Sequence, residues 1–375
     1  MKRLLALAVV IAIVAALGTL AQWSTRPLEA ALLLADLNAG TGNSLFKRLT
    51  PRPDRQKLEA EIDGRHLSGD LYLPAEKAGA GLVLVPGAAR DGKDDPRLVA
   101  LAQTLARARF LVLVPDMPNL RAQEIAAADR QPIADAAWFL REERHMPTIG
   151  AAAVSYAGIP AMLAALDGAG LDFVVTIGAP YDLTAIVTFF TTGFFRDQPG
   201  AEWQRATPNA YGKWVFVKAN ARRLDDSGDR ALLSAIAERK MADDAADIGD
   251  LTAKLGPQGR SVMALLANDD PAKVPALMKA LPPAIRAEIA ALDLAPRDLS
   301  RLNTRLYLIH GRDDRIIPWT ESAALARMAP QAELALLDNL AHADLKPGGV
   351  ADAFALWRMT THLLAERDGS TPRRP

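Results

Sequence analysis

The chain opens on an uncharged apolar run, residues 4–21, preceded by Lys2 and Arg3 and followed by Trp23. At about 1.5 Å per helical residue, that run comes close to a hydrocarbon core roughly 30 Å thick. Two readings of residues 1–25 stand side by side. One is an uncleaved signal anchor, with Lys2 and Arg3 held inside and Trp23 at the far interface, and the length of the run favours it. The other is a signal peptide, with its shorter apolar region of about 7–15 residues and Thr19-Leu20-Ala21 as a weak cleavage site. Both put the bulk of the chain outside the cytoplasm, anchored to the membrane or exported. Residues 28–37 form a second Leu-rich stretch, which Glu29 and Asp36 mark as an amphipathic helix. Thr50-Pro51-Arg52-Pro53 then reads as a linker, because prolines favour extended backbone. Residues 26–53 are thus helix and linker, and the globular part begins near Asp54.

Beyond that point the pattern is strand, strand, then strand alternating with helix. Residues 58–62 and 66–73 flank Asp63-Gly64, a strong hairpin turn signal. Residues 81–85 are a continuous apolar run, as expected of a strand covered on both faces. A helix over 96–108 shows an apolar stripe at Leu98, Leu101, Leu105 and Ala108. The same reasoning predicts strands over 110–114, 149–154 and 173–177, with helices over 133–141 and 158–166. The alternation breaks near Asp182 and resumes with a strand over 306–309. A helix over 321–328, a strand over 333–337 and a helix over 352–364 complete it. Alternation of this kind implies a mostly parallel sheet with helices on both faces. Residues 54–183 and 303–367 form its two parts, and 184–302, far longer than an ordinary connection, form a helical cap. Residues 368–375 look like a disordered tail.

Composition narrows the chemistry. The formal net charge is zero, with 44 basic and 44 acidic residues, so no global field draws the protein to nucleic acid. There is no cysteine, which excludes a disulfide framework, thiolate metal sites and a cysteine nucleophile. No zinc helix, phosphate loop or dinucleotide fingerprint occurs, and no metal or organic cofactor is implied. Nothing in the sequence fixes an oligomeric state.

Three passages carry candidate chemistry. In Ala153-Val154-Ser155-Tyr156-Ala157-Gly158 a serine stands between a short apolar strand and a small-residue helix start. A nucleophile elbow makes a sharp, strained turn there and needs small neighbours. The usual G-x-S-x-G appears as A-x-S-x-A, and alanine tolerates positive φ less well than glycine. The bland alternative is a serine capping the helix. In the second passage, His310-Gly311-Arg312-Asp313-Asp314, a buried strand runs into a glycine with an acid three positions later. A loop after a parallel strand emerges at the carboxyl edge of the sheet. A carboxylate there can hold a histidine in one tautomer. The glycine spacing favours Asp314 over Asp313, and simple turn chemistry is the alternative. In the third passage His342 follows the last strand, in a loop before the final helix. His66, His145, His310 and His362 occupy positions better explained by packing or solvation.

Taken in order, Ser155, Asp314 and His342 make the chain resemble the α/β-hydrolase superfamily over residues 57–366, with a helical cap between the sixth and seventh strands. The resemblance implies a serine hydrolase with those three residues as catalytic triad. It also implies an oxyanion hole of two backbone amides, Tyr156 after the nucleophile and Ala88 in the loop Val85-Pro86-Gly87-Ala88-Ala89-Arg90, where Pro86 replaces a frequent histidine. The expected partner is a small acyl substrate, most simply a carboxylic ester. The contrasting reading is a non-catalytic, membrane-associated scaffold on the same fold, motivated by Ala153 and Ala157. The cap is rich in aromatics (Phe189, Phe190, Phe194, Phe195, Trp203, Tyr211, Trp214, Phe216), which read as cap core in preference to an acyl-binding wall.

Overall fold

The computed structural model of the protein describes residues 25–338, 340 and 349–370. Its centre is an eight-stranded sheet. Two strands, β1 (Asp54–Ile62) and β2 (Arg65–Leu73), form an antiparallel hairpin. Asp63 and Gly64 at its tip have φ of 48° and 74°, the geometry of a two-residue primed turn. Parallel strands follow: β3 (Ala80–Leu84), β4 (Phe110–Pro115), β5 (Ile149–Val154) and β6 (Phe173–Ile177). After a two-stranded ladder, β7 (Phe194–Phe195) with β8 (Gln204–Arg205), come β9 (Arg305–Gly311) and β10 (Ala332–Leu337). The spatial order is β1-β2-β4-β3-β5-β6-β9-β10, with β2 antiparallel to β4 and every later pair parallel. The expected mostly parallel sheet is therefore present.

β3 and β4 are buried on both faces, which is why they read as unbroken apolar runs. One face packs on the helices Arg130–Trp138, Gly158–Leu166 and Thr320–Met328, through Val83, Ala151, Val174, Leu308, Met162 and Leu325. The opposite face packs on Pro96–Arg107 and Val350–Arg367, through Leu82, Val112, Phe173 and Leu356. A helix over residues 25–39 joins this second layer with Ala30 and Leu33 fully buried, and Phe46 follows it into the same core. Pro96 starts its helix behind an Asp95 cap that accepts from the Arg97 amide (2.8 Å).

Between β6 and β9 the chain makes a long, mainly helical excursion. Its principal helices are Leu183–Thr192, Tyr211–Ala221, Ser227–Ala242, Pro257–Leu266 and Pro283–Leu292. The two ends of the excursion are zipped together: the Leu183 amide donates to Asp293 Oδ1 (3.2 Å), and the Leu294 amide to the Tyr181 carbonyl (3.2 Å). Among the described residues no helix is long and apolar enough to cross a membrane, and the apolar run over 4–21 lies outside them.

Candidate active site

The site begins with strand β5, Ile149-Gly150-Ala151-Ala152-Ala153-Val154, made almost wholly of small residues. Small side chains let it sit close to its neighbours; a Cβ on Gly150 would stand 2.0 Å from the Phe173 ring. Immediately after Val154 the backbone of Ser155 turns to φ 60°, and the chain passes through a short 3-10 turn into the helix Gly158–Leu166. A serine in that region costs about 1–2 kcal/mol, so the surrounding packing has to impose it. Gly158 contributes to the closeness, since a Cβ there would lie 3.0 Å from Ala179 Cβ. Ala157 has an ordinary φ of −64°, and Ala153 is not among the residues with positive φ. The positive φ falls on Ser155 itself, so the two alanines bear none of the conformational cost expected of them.

Strand register places the other elements around this turn. Ala152 pairs with Leu84, so the loop that carries Ala88 leaves the sheet beside the serine. In that loop the Ala89 amide donates to the Gly87 carbonyl (2.8 Å), whereas the Ala88 amide donates to no backbone carbonyl among the described residues. The Tyr156 amide lies in the first turn of a helix, where backbone donors have no intrahelical acceptor. On the other side, Val154 pairs with Ile177 and Ile177 with Ile309, so β9 runs out of the same edge two strands away.

Asp314 stands five residues past Ile309 and is 6% exposed. Its Oδ1 accepts from the amides of Ile316 (2.7 Å) and Ile317 (3.1 Å), which fixes the carboxylate in the loop. Asp313 is engaged differently, accepting from the Leu340 amide (3.0 Å). Burial, with the fields of Asp314 and Glu321 added to it, raises the Tyr156 phenol well above its usual range. Ser155, Tyr156, Ala88 and Asp314 therefore share one edge of the sheet. His342, the third member of the expected triad, lies outside the described residues.

Sequence reasoning passed over two side chains that build this edge. His310, the penultimate residue of β9, is fully buried under the acid loop. Its Nδ1 is 2.7 Å from Ser322 Oγ, and its Nε2 is 3.0 Å from the Ile317 carbonyl and 3.5 Å from Asp314 Oδ2. The Ser322 hydroxyl also donates to the Ala179 carbonyl (3.3 Å), so the ring joins the acid loop, the following helix and the strand exit after β6. The bland packing reading was right about burial, but the ring also holds the loop. Glu321, 3% exposed, accepts from the amides of Tyr181 (2.9 Å) and Asp182 (2.7 Å), tying the helix after the acid loop to the start of the cap. Burial pushes its carboxyl up to about 8. A polar residue inside an apolar strand, four positions before a candidate acid, was the available signal for His310.

The cap aromatics divide into groups. Phe190 and Phe216 pack together (centroids 5.5 Å apart) and line an apolar void of about 60 Å³ that is also walled by Tyr156, Ile159, Ile186 and Val215. Phe189 packs edge-on against Phe195, and Phe194 against the half-exposed Trp203. A larger cleft, about 750 Å³, opens on the other face of helix Leu183–Thr192 beside Asp182, Thr184 and Arg327. None of the candidate site residues lines it, whereas the Tyr156 side chain lines the small void.

No protein-family model matches the chain, and no curated protein sequence matches it either. Solved structures do. A hydrolase candidate from Legionella pneumophila superposes with a TM-score of 0.53 at 14% identity, covering 85% of this chain and 90% of that one. The 2,6-dihydroxy-pseudo-oxynicotine hydrolase gives a TM-score of 0.49 at 12% identity, over 86% of this chain and 71% of that one. An esterase domain from a Rhodothermus marinus protein gives 0.43 at 16% identity, over 84% and 98%. Identities this low speak to architecture alone. With its strand order, its strained turn after β5 and the Legionella likeness, the chain has the α/β-hydrolase fold.

Proposed function

We propose that the protein is a serine hydrolase that cleaves a carboxylic ester or related acyl bond. The observation that carries this reading is the left-handed backbone of Ser155, a strained conformation at a strand-to-helix turn. His342 takes the proton of Ser155 Oγ as that oxygen attacks the acyl carbonyl, and Asp314 holds the imidazole in its tautomer. The amides of Tyr156 and Ala88 stabilise the tetrahedral oxyanion by a few kcal/mol. The imidazolium gives its proton to the leaving oxygen, and an acyl-serine remains. Water, deprotonated by His342, then attacks the acyl-serine, releasing the acid and restoring the hydroxyl.

The void beside Tyr156 favours a small acyl group. At about 60 Å³ it is well below the roughly 150 Å³ apolar cavity that accommodates a benzene ring. The scaffold alternative drew on Ala153 and Ala157, and the ordinary backbone at both positions removes that motive. Attachment to a membrane through residues 4–21, with the folded body outside the cytoplasm, belongs to the same reading and rests on the length and apolarity of that run.

A fluorophosphonate probe tests the core of the proposal. Wild-type protein takes up the label and Ser155→Ala does not. A folded wild type that stays unlabelled would overturn the hydrolase assignment. Hydrolysis of p-nitrophenyl esters falling steadily with acyl length supports the small pocket, and a long-chain optimum refutes it.

A further inference from the structure

Three of the most exposed large apolar side chains lie where the N-terminal and C-terminal helices meet. Val350 is 89% exposed, Leu28 63% and Phe354 59%. Positions 350, 354 and 357 fall on one stripe of the helix Val350–Arg367. Phe354 packs on the Trp357 ring with centroids 5.5 Å apart, and the Trp357 indole N–H donates to the Pro27 carbonyl (2.8 Å). That bond brings Leu28 to the same surface.

The start of the N-terminal helix is firmly held beside the C-terminal end of the helix Val350–Arg367. Arg26 pairs with Asp368 (2.7 Å), Glu29 with the buried Arg367, and Ala30 and Leu33 are sealed in the core. Only four residues, 22–25, separate the held Arg26 from the end of the apolar run at Ala21. Fully extended, those five peptide steps span at most about 17 Å. If residues 4–21 span a bilayer, covalent geometry keeps the body against its surface, and the side nearest Arg26 is the side that meets it.

We propose that this face, formed by Leu28, Val350, Phe354 and the edge of Trp357, rests in the interfacial layer of a lipid bilayer. The inference depends on the reading of residues 4–21 as a retained membrane segment. Apolar side chains exposed in water gain by entering the interface, and an indole suits the headgroup level. Arg26 and Glu29 are held at the Arg367 end of the helix Val350–Arg367, where Arg367 donates to the Ala108 carbonyl ahead of β4, so the lipid surface runs along the second helix layer.

The absence of cysteine makes a direct test possible. Full-length protein, its retained N-terminus verified by intact mass, is reconstituted into vesicles of phosphatidylcholine and phosphatidylglycerol. Single-cysteine variants Leu28→Cys, Val350→Cys and Phe354→Cys carry the environment-sensitive fluorophore NBD. Trp138→Cys, on the helix layer of the opposite sheet face, is the control. The proposal expects a blue shift at the first three sites and loss of that emission with nitroxide-bearing lipids, with neither change at 138. Labels that stay aqueous on protein co-sedimenting with vesicles would overturn the interface and leave the anchor standing. Protein that does not sediment with vesicles, or whose mature mass lacks residues 1–21, would overturn the anchor and the interface together. A blue shift without vesicles that grows with protein concentration would assign the face to a second copy of the chain and also refute the proposal.

Discussion

The two loops that frame the candidate site are held in place by opposite means. The serine elbow is fixed by missing volume: Gly150 lies under the Phe173 ring, Gly158 against Ala179, and Ala157 is 2% exposed. The acid loop is fixed by hydrogen bonds instead, with His310, Ser322, Asp314, Asp313 and Glu321 each gripping backbone or one another. Added methylenes break the first kind of construction, because overpacking forces strain. Lost donors, lost acceptors and changed pH break the second, because a buried polar group without a partner is costly.

The largest expected effect separates the two adjacent acids. Asp314→Asn retains an oxygen for the Ile316 and Ile317 amides but no longer fixes the tautomer of the base. A loss of about 10⁴-fold in kcat is expected for a triad acid. Asp313→Asn disturbs only the bond to the Leu340 amide and should cost less than about tenfold, as no reacting group depends on it. Steady-state hydrolysis of p-nitrophenyl acetate measures both. The reverse ranking would move the acid assignment to Asp313.

Stability of the acid side should also depend on pH through Glu321. Burial raises its carboxyl from 4.5 to about 8, so the folded protein keeps a proton that the unfolded chain releases. Stability from this group is therefore full below pH 4.5 and is lost as pH rises through about 8. At roughly 1.4 kcal/mol per unit, the loss is on the order of 5 kcal/mol at most. Melting temperatures at pH 6 and pH 9 should diverge in the wild type and converge in Glu321→Gln. Parallel curves would show that the carboxyl does not hold its proton. A smaller effect is expected at His310: His310→Leu strands the Ile317 carbonyl and leaves the Ser322 hydroxyl only its bond to the Ala179 carbonyl (3.3 Å), a cost of about 2 kcal/mol in urea unfolding. An unchanged midpoint would mean that the loop holds without the ring.

The same contrast explains what the sequence revealed. Strands β5 and β6 and the helix Gly158–Leu166 fall on the predicted residues, because apolar periodicity and small-residue runs encode packing directly. The serine turn was legible for that reason, although the alanines were expected to share its positive φ and do not. The polar network of the acid loop was harder to see. A buried His310 or Glu321 looks the same in sequence as an exposed one until the partners arrive: Ser322 from the next helix, Tyr181 and Asp182 from more than a hundred residues away. Periodicity also gave no hint that residues 25–39 join the second helix layer, since their amphipathic pattern does not name the surface they cover.

The finest test of the comparison lies in the elbow, where stability and function should part company. Ser155→Ala and Ser155→Gly both remove the hydroxyl, so both should lose labelling and turnover. They differ in the Cβ that alanine keeps at φ 60°. Glycine occupies that region at no steric cost, while an L-residue there carries about 1–2 kcal/mol of strain. Glycine's greater freedom in the unfolded chain offsets part of the gain. Ser155→Gly should therefore exceed Ser155→Ala in stability by roughly 1 kcal/mol in chemical denaturation, with both proteins inactive. If the alanine variant is equally stable, the turn is not strained, and the elbow loses the feature on which its assignment as a nucleophile site rests.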